Sequence, residues 1–325
     1  MKMRARIVGF GAAVTLALAC GGCFLGPAST GEFDRALSVS GPVHLELHTG
    51  AGSVEVHTGA AGTVRIHAEV RVRSFFGEDP DRRLKEITDQ PPVSQSGDVI
   101  RIGYEQAHTE NVAISYTIET PETTDLQAGT GAGHVDIRGL TGTVDITTGA
   151  GSVLIRDIRG DVTAHTGTGS VQLDTIHGSL RASTGAGTIT AGEVTGELRI
   201  TTGAGSVNVR DSSGRISAHT GTGSVNVTRA SADLRAETGM GHINVSGNPS
   251  AGSYWDLRSG MGSITLDVPS DASFRLNAHA GSGRIDTQLP LVLEEGLGRH
   301  DVRGRIGSGA ARVEVQTGAG TIHIL

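Results

Sequence analysis

The chain has almost no lysine, no cysteine beyond residue 23 and few aromatic side chains. Lys2 and Lys85 are its only lysines, so 25 of the 27 basic residues are arginine. Against 34 acidic residues the formal net charge is −7 with a pI near 6.0, which leaves no basic footprint for nucleic acid. Both cysteines, Cys20 and Cys23, lie near the start, so the rest of the chain forms neither a disulfide nor a thiolate metal site. Aromatics at 3% beside 49 glycines exclude an ordinary aromatic-rich core, while a hydrophobic content of 37% still permits a narrow one. The one long apolar run, Ile7–Ala19, is 13 residues, short of the ~20 that a membrane-crossing helix needs.

What is present in quantity is a repeat. Gly-x-Gly pairs stand at Gly131/Gly133, Gly149/Gly151, Gly167/Gly169, Gly185/Gly187, Gly203/Gly205, Gly221/Gly223 and Gly239/Gly241, every step being 18 residues. A further glycine follows the start of five consecutive pairs by 11 residues, at Gly142, Gly160, Gly178, Gly196 and Gly214, with Ala232 in the next place. Each repeat therefore holds two turns and two short alternating segments such as "SVLIRD" and "DVTAHT", which read as strands. After Gly241 the step widens to 21 at Gly260/Gly262 and Gly281/Gly283, and a last pair sits at Gly318/Gly320. Eighteen residues are too few for a βαβ unit, which takes about 30. The expected fold is all-β: a parallel β-helix-like solenoid with coils of 18–21 residues stacked about 4.8 Å apart, each burying its neighbour's apolar face. About eleven such coils make a rod roughly 50 Å long. The residue before each pair is threonine from Thr130 to Thr238, placed for hydrogen bonds up the stack. Both members of every pair from Gly131 to Gly241 read as structural turn residues, marking a corner that needs positive φ or close backbone approach.

The start of the chain has secretory architecture: Lys2, Arg4 and Arg6, then the apolar run, then "LALACGGC". That last stretch resembles the lipobox of bacterial lipoproteins, in which a cysteine after a small residue is acylated. Cys20 after Ala19 is the better fit and Cys23 after Gly22 the alternative; an ordinary cleaved signal is the plain reading. The expected organisation is a signal peptide at 1–20, a tether at 21–38 and the repeat domain at 39–325. Within it 74–97 breaks the pattern: "EDPDRRLKEI" predicts a short helix near Pro80 and "TDQPPVSQSGD" a loop. This insertion reads as a cap over an exposed strand edge, or as a partner-binding loop using Phe75 and Phe76. Leu289–Arg303 is a second candidate insertion.

At "ISYTIETPETTDLQAGTGAGHVDIRGLTGTVDITTGAGSV" and again at "GRIGSGAARVEVQTGAGTIHIL" the chain resembles the bacterial putative-adhesin domain family, over roughly residues 40–325. The shared features are a segment with Pro121, repeated Thr-Gly-x-Gly with β-branched alternation, and a closing strand; Ala or Thr fills the x place where many relatives carry Ser or Asp. The resemblance implies a β-solenoid of the cell envelope acting in adhesion or envelope stress. It brings no catalytic residues.

Other chemistries find little support. The glycine pairs precede strands rather than the helix that a dinucleotide fingerprint requires, and no Gly-Lys-Ser/Thr follows them. The turn lacks the aspartate of calcium-binding repeats. His165 and His219 are three coils apart, about 14 Å, too far to share a metal. The better metal candidates are His44, Glu46 and His48, alternating on one strand, with His57 and His67 on later strands; a solvated polar face is the plainer reading. Asp157, Asp174 and Glu193 form no recurring acid/base pair. Tyr254 and Trp255, the only adjacent aromatics of the repeat region, coincide with the widened step.

These observations lead to a non-enzymatic envelope protein without cofactor, held by an N-terminal lipid in the outer membrane of a Gram-negative cell and meeting a surface glycan or protein. The alternatives are an envelope-stress or antimicrobial-peptide-responsive regulator and a carbohydrate-active β-helix enzyme.

Overall fold

In the computed structural model, which describes residues 28–73, 79–103, 111–293 and 300–325, each repeat lays one strand in each of two facing sheets. Val162–Thr168 belongs to a 15-stranded sheet and Val171–His177 to a 14-stranded one. Each strand pairs in parallel with its equivalents one coil away, as Val162 with Val144 and Leu180, and Val171 with Val153 and Ile189. Alternation decides what goes inside. Val162, Ala164 and Thr166 point into the core while Thr163 and His165 point out. The core is a stack of Val, Ile, Leu and Ala, each large side chain contributing about 1.5–3 kcal/mol by burial. Aromatics are buried only towards the ends, where coils differ: Phe33 and Tyr116 at one, Trp255 and Phe274 at the other. Trp255 pairs with Leu234 across the widened step, and its indole N–H donates to Ala232 O at 2.7 Å.

The corners are made of backbone alone. A Cβ on Gly167 would lie 2.5 Å from Gly149 O, and one on Gly169, at φ +145°, 2.0 Å from Gly151 O. No side chain fits either place. The second glycine of a pair turns its carbonyl out of the strand ladder, and the threonine of the next coil supplies the donor: Thr166 Oγ1 to Gly151 O at 3.1 Å, Thr202 to Gly187 O at 3.1 Å, Thr238 to Gly223 O at 2.8 Å. These hydroxyls are at most 5% exposed from Thr130 to Thr238. Thr148 is the exception, its buried hydroxyl lacking a partner.

The opposite side of each coil holds a second device. Asp157, Thr175, Glu193, Asp211 and Arg229, one per coil, all have φ between 51° and 57°. This left-handed kink costs roughly 1–2 kcal/mol for a non-glycine residue. It resets the alternation, so that Ile158, Ile176 and Val194 face inwards and close the core at that edge.

At both ends the spatial order departs from chain order. Val43–Ala51 lies between Val99–Ile102 and Thr124–Ala132, and Ala311–Ala319 between Tyr254–Met261 and Phe274–Ser282. In each case a coil remote in sequence is slipped inside its neighbour. The outer coils then carry antiparallel strands: Thr63–Arg73, Ala28–Ser38 and Val93–Ser96 at one end, Asp301–Ile306 and Val292–Leu293 at the other.

Four expectations are corrected. The two glycines of a pair are not both turn residues. Gly131, Gly149, Gly167, Gly185, Gly203, Gly221 and Gly239 lie inside strands, where the close approach of the neighbouring coil alone requires glycine. The bend falls on the second members, Gly133, Gly151, Gly169, Gly187, Gly205, Gly223 and Gly241, with φ between 139° and 159°. Even there no hydrogen-bonded turn closes on itself, because each amide is used by the next coil: Gly133 N–H donates to Ala150 O at 3.0 Å and Gly205 N–H to Thr222 O at 2.8 Å. Residues 28–38 are no tether but an 11-residue strand in register with Thr63–Arg73, because Phe33 has a core to enter. Val93–Ser96, expected as loop, is an edge strand. The added end strands also lengthen the solenoid to on the order of 60 Å. The helix forms at Pro80–Asp89, where the Asp79 side chain accepts from Asp81 N and proline takes the first turn. It packs on Ala28–Ser38 and Thr63–Arg73, with Leu84 lying against Gly31.

Two substitution pairs test the corners by chemical denaturation. Thr202→Val should lose about 1–2 kcal/mol by orphaning Gly187 O, while Thr148→Val should be neutral or stabilising. Gly167→Ala should lose at least about 2 kcal/mol, whereas Thr175→Asn should gain about 0.5–1 kcal/mol, because asparagine accepts the left-handed kink that a β-branched residue resists.

Candidate functional site

With the interior filled by apolar side chains, the outward faces of the two sheets carry the functional groups. His44, Glu46 and His48 project from the 15-stranded sheet, whereas His57 and His67 project from the 14-stranded sheet. The core separates the two sets, so they do not meet. Four of the five have a partner of their own: His44 Nδ1 stands 3.3 Å from Asp125, Glu46 accepts from Arg101 Nε at 2.8 Å, His57 lies 3.8 Å from Glu119 and His67 2.9 Å from Asp34. No group of three or more His, Cys, Asp or Glu among the described residues is placed to hold a metal ion. Cys20, Cys23, Phe75 and Phe76 lie outside the described residues.

The paired glycines from Gly131 to Gly241 line one edge of the rod as two adjacent columns, each facing the equivalent glycine one coil away. In the bending column Gly133 faces Gly151 and Gly205 faces both Gly187 and Gly223. Their place is structural, and the residue between them, such as Ala150, Thr168 or Met240, is exposed on that edge.

The acidic residues of the 15-stranded sheet have a local duty. Asp125 accepts the Thr143 N–H at 2.7 Å and its hydroxyl at 2.8 Å, Asp161 accepts Ser179 N at 2.8 Å, and Asp233 accepts Tyr254 N at 3.0 Å. These bonds fasten the start of the next coil. The Thr143 N–H, then its hydroxyl, holds the Asp125 carboxyl below the usual carboxylate range, with His44 a smaller contributor. Sequence reading missed this role because the aspartates recur irregularly along the repeat.

On the 14-stranded sheet Asn208, Asn226 and Asn244 form an amide ladder, Asn226 Nδ2 donating to Asn208 Oδ1 and Asn244 Nδ2 to Asn226 Oδ1, both at 2.9 Å. Further along the 15-stranded sheet Tyr254 donates to Glu314 at 2.7 Å, and partial burial followed by that bond pushes its hydroxyl up to about 12. Asp256 beside it is 4% exposed and raised by burial, against the pull of Arg258 and Arg235.

A cavity of about 870 Å³ opens where the helix meets the first corner, lined by Ile87, Pro91, Ile114, Tyr116 and His48. The Tyr116 hydroxyl is buried there without a partner among the described residues, and burial pushes it up. Gly103 and Val112 on the rim flank residues 104–110, which lie outside the description.

Two parallel sheets sharing one core, hinged on glycine corners and closed by antiparallel strands at three of their four ends, define a β-solenoid. Residues 95–325 match the model of the family described as Toastrack DUF4097, and the chain belongs to that family. Among solved structures it is similar to a "putative cell adhesion protein" from Clostridium sporogenes, at 12% identity over 91% of this chain and 99% of that one, with a TM-score of 0.23. A "putative adhesin" from Bacteroides fragilis is 12% identical over 91% and 97%, with a TM-score of 0.30. Another from Parabacteroides merdae is 9% identical over 90% and 96%, with a TM-score of 0.27. No curated protein matches the chain.

Asp125 sets a test in pH. Its folded carboxyl binds fewer protons than the unfolded one between the lowered and the ordinary value. Its contribution is therefore complete above the ordinary carboxylate range and fades as pH falls through the lowered value. Asp125→Asn should lose about 1 kcal/mol at pH 7, a figure reduced for exposure, and the gap to the unaltered protein should close in denaturation curves taken below about pH 4.

Proposed function

We propose that this chain is an exported, lipid-anchored envelope protein that serves as a non-enzymatic interaction module, displaying a rigid two-sided rod to surface glycans or proteins. One observation carries this reading. Antiparallel strands close three of the four sheet ends, and the fourth stops at the three-residue strand Ile285–Thr287, so little parallel ladder is left for another copy to extend and the long flat faces are what the molecule presents. The secretory start and the acylatable cysteines supply export and anchoring, with Cys20 the acyl acceptor and the outer membrane the site. The outward residues are short polar and charged side chains whose bonds run to neighbouring coils, as in the asparagine ladder and the aspartate caps. Groups tied down in this way suit a preformed binding surface.

Acyl-chain labelling should mark the protein and its Cys23→Ala variant and fail on Cys20→Ala. Cells without the protein should bind their target surface less well, and adding back the Cys20→Ala form should not restore binding. Label on the Cys20→Ala form, or undiminished binding after deletion, contradicts the respective half of the reading.

A further inference from the structure

One register column on the outward face of the 15-stranded sheet changes character along the rod. Through the middle it carries Asp161, Glu197, Arg215 and Asp233, where Asp161 and Asp233 accept backbone N–H groups and Arg215 pairs with Asp233 at 3.0 Å. Past Tyr254 the same column continues as Arg312, Arg275 and Arg305 on three adjacent strands. These arginines are exposed and stand directly opposite one another, about 4.8 Å apart. Like charges so placed destabilise a sheet. None of the three lies within ion-pair distance of a carboxylate among the described residues, whereas Arg235 and Arg258 of nearby columns are paired with Glu237 and Asp256. Two acids on the neighbouring strands are otherwise engaged: Glu314 takes the Tyr254 hydroxyl and Asp301 takes His279 at 2.7 Å. Arg303, beside the row, adds further positive charge.

We propose that this arginine row binds an extended acidic polysaccharide, its carboxylates seated on successive guanidinium groups. The inference deepens the interaction-module reading and rests on it. The guanidinium fork matches a carboxylate with two parallel bonds. One arginine per strand on a flat, open face suits a linear chain running along the rod. Tyr254, 38% exposed at the inner end of the row, offers a ring for a sugar to lie against. A bilayer would need an apolar wedge, and Val292, opposite Arg305, is the one large apolar side chain exposed there among the described residues. A single-stranded nucleic acid would need several stacking aromatics, and the row has one.

The test uses the full mature chain with polygalacturonate as probe, fully methyl-esterified pectin as its uncharged counterpart, and phosphatidylglycerol vesicles and a single-stranded oligonucleotide as rival anions. Polygalacturonate should bind in a salt-sensitive manner and the ester should not. Arg275→Gln with Arg305→Gln should weaken binding at least tenfold and flatten its salt dependence, while the ligand-free Tm stays level or rises. Arg181→Gln with Arg199→Gln removes the same charge in mid-rod and should change affinity less than twofold. The proposal falls if polygalacturonate does not bind, if both double variants lose affinity equally, or if vesicles or oligonucleotide bind more tightly. A lower ligand-free Tm in the first variant also overturns it, since the row would then be neutralised within the chain. If polygalacturonate fails while cells lacking the protein still lose surface binding, the interaction module stands and only this row's assignment falls.

Discussion

Along the edge of paired glycines backbone meets backbone with no room for a side chain. The carbonyl of Gly149 occupies the space where a Cβ of Gly167 would sit, and the same contact recurs along the rod. Close approach lets the coils stack at strand spacing around the bend, but it strands the carbonyl of the second glycine outside the ladder. A buried carbonyl without a donor is costly. The threonine one coil on supplies that donor, so glycine and threonine columns answer a single problem, one sterically and the other by hydrogen bonding. The rest follows from it: with the bend made by backbone, the strands are free to run straight, and their alternation sorts apolar residues inwards and polar residues out.

The flat faces inherit their order from this stacking. Because each outward residue sits one strand spacing from its equivalent, side chains interact up and down the rod. Asn226 bonds to Asn208, Arg229 pairs with Asp211, and Asp125 fastens the coil of Thr143. Along the arginine row such matching stops over three strands, since Arg275 has an arginine on either side, whereas the facing pair Arg181 and Arg199 spans two. A run of three facing arginines makes this stretch chemically conspicuous.

The architecture was legible in the sequence because its cause is periodic: glycine pairs, the threonine before them and two-residue alternation all repeat with the coil. Spacing did not say which glycine of a pair bends. Gly203 and Gly205 recur with the same period, and only the ladder, which runs through the first and ends at the second, tells them apart. The kink at Asp157, Thr175 and Glu193 was hidden too, since three unlike residues share one backbone state and only the inward Ile158, Ile176 and Val194 betray it. The ends were read least well. Alternation says which residues face inwards, but not which sheet a strand joins or which neighbour it takes. For that reason His44 and His57, which looked groupable, stand on opposite faces, and residues 28–38, lacking the repeat, hid a strand. The aspartate caps escaped notice because position relative to the next coil's amide, rather than residue spacing, defines them.

The intercalated coils constrain how the molecule is assembled. A simple solenoid can zip up from one side as each coil emerges during synthesis or export, every new rung landing on the last. Here Ala311–Ala319 and Ile322–Ile324 come between strands that precede them in the chain. The coil of Phe274–Ser282 therefore has no parallel partner until those later residues arrive. Until then it either waits loosely or rests on a neighbour that it must afterwards release. Such late, long-range pairing is slow and leaves edges open to aggregation. Closure of the rod thus becomes a checkpoint for delivery of residues 311–324, and a chain interrupted before them retains an unfinished end for proteases to find.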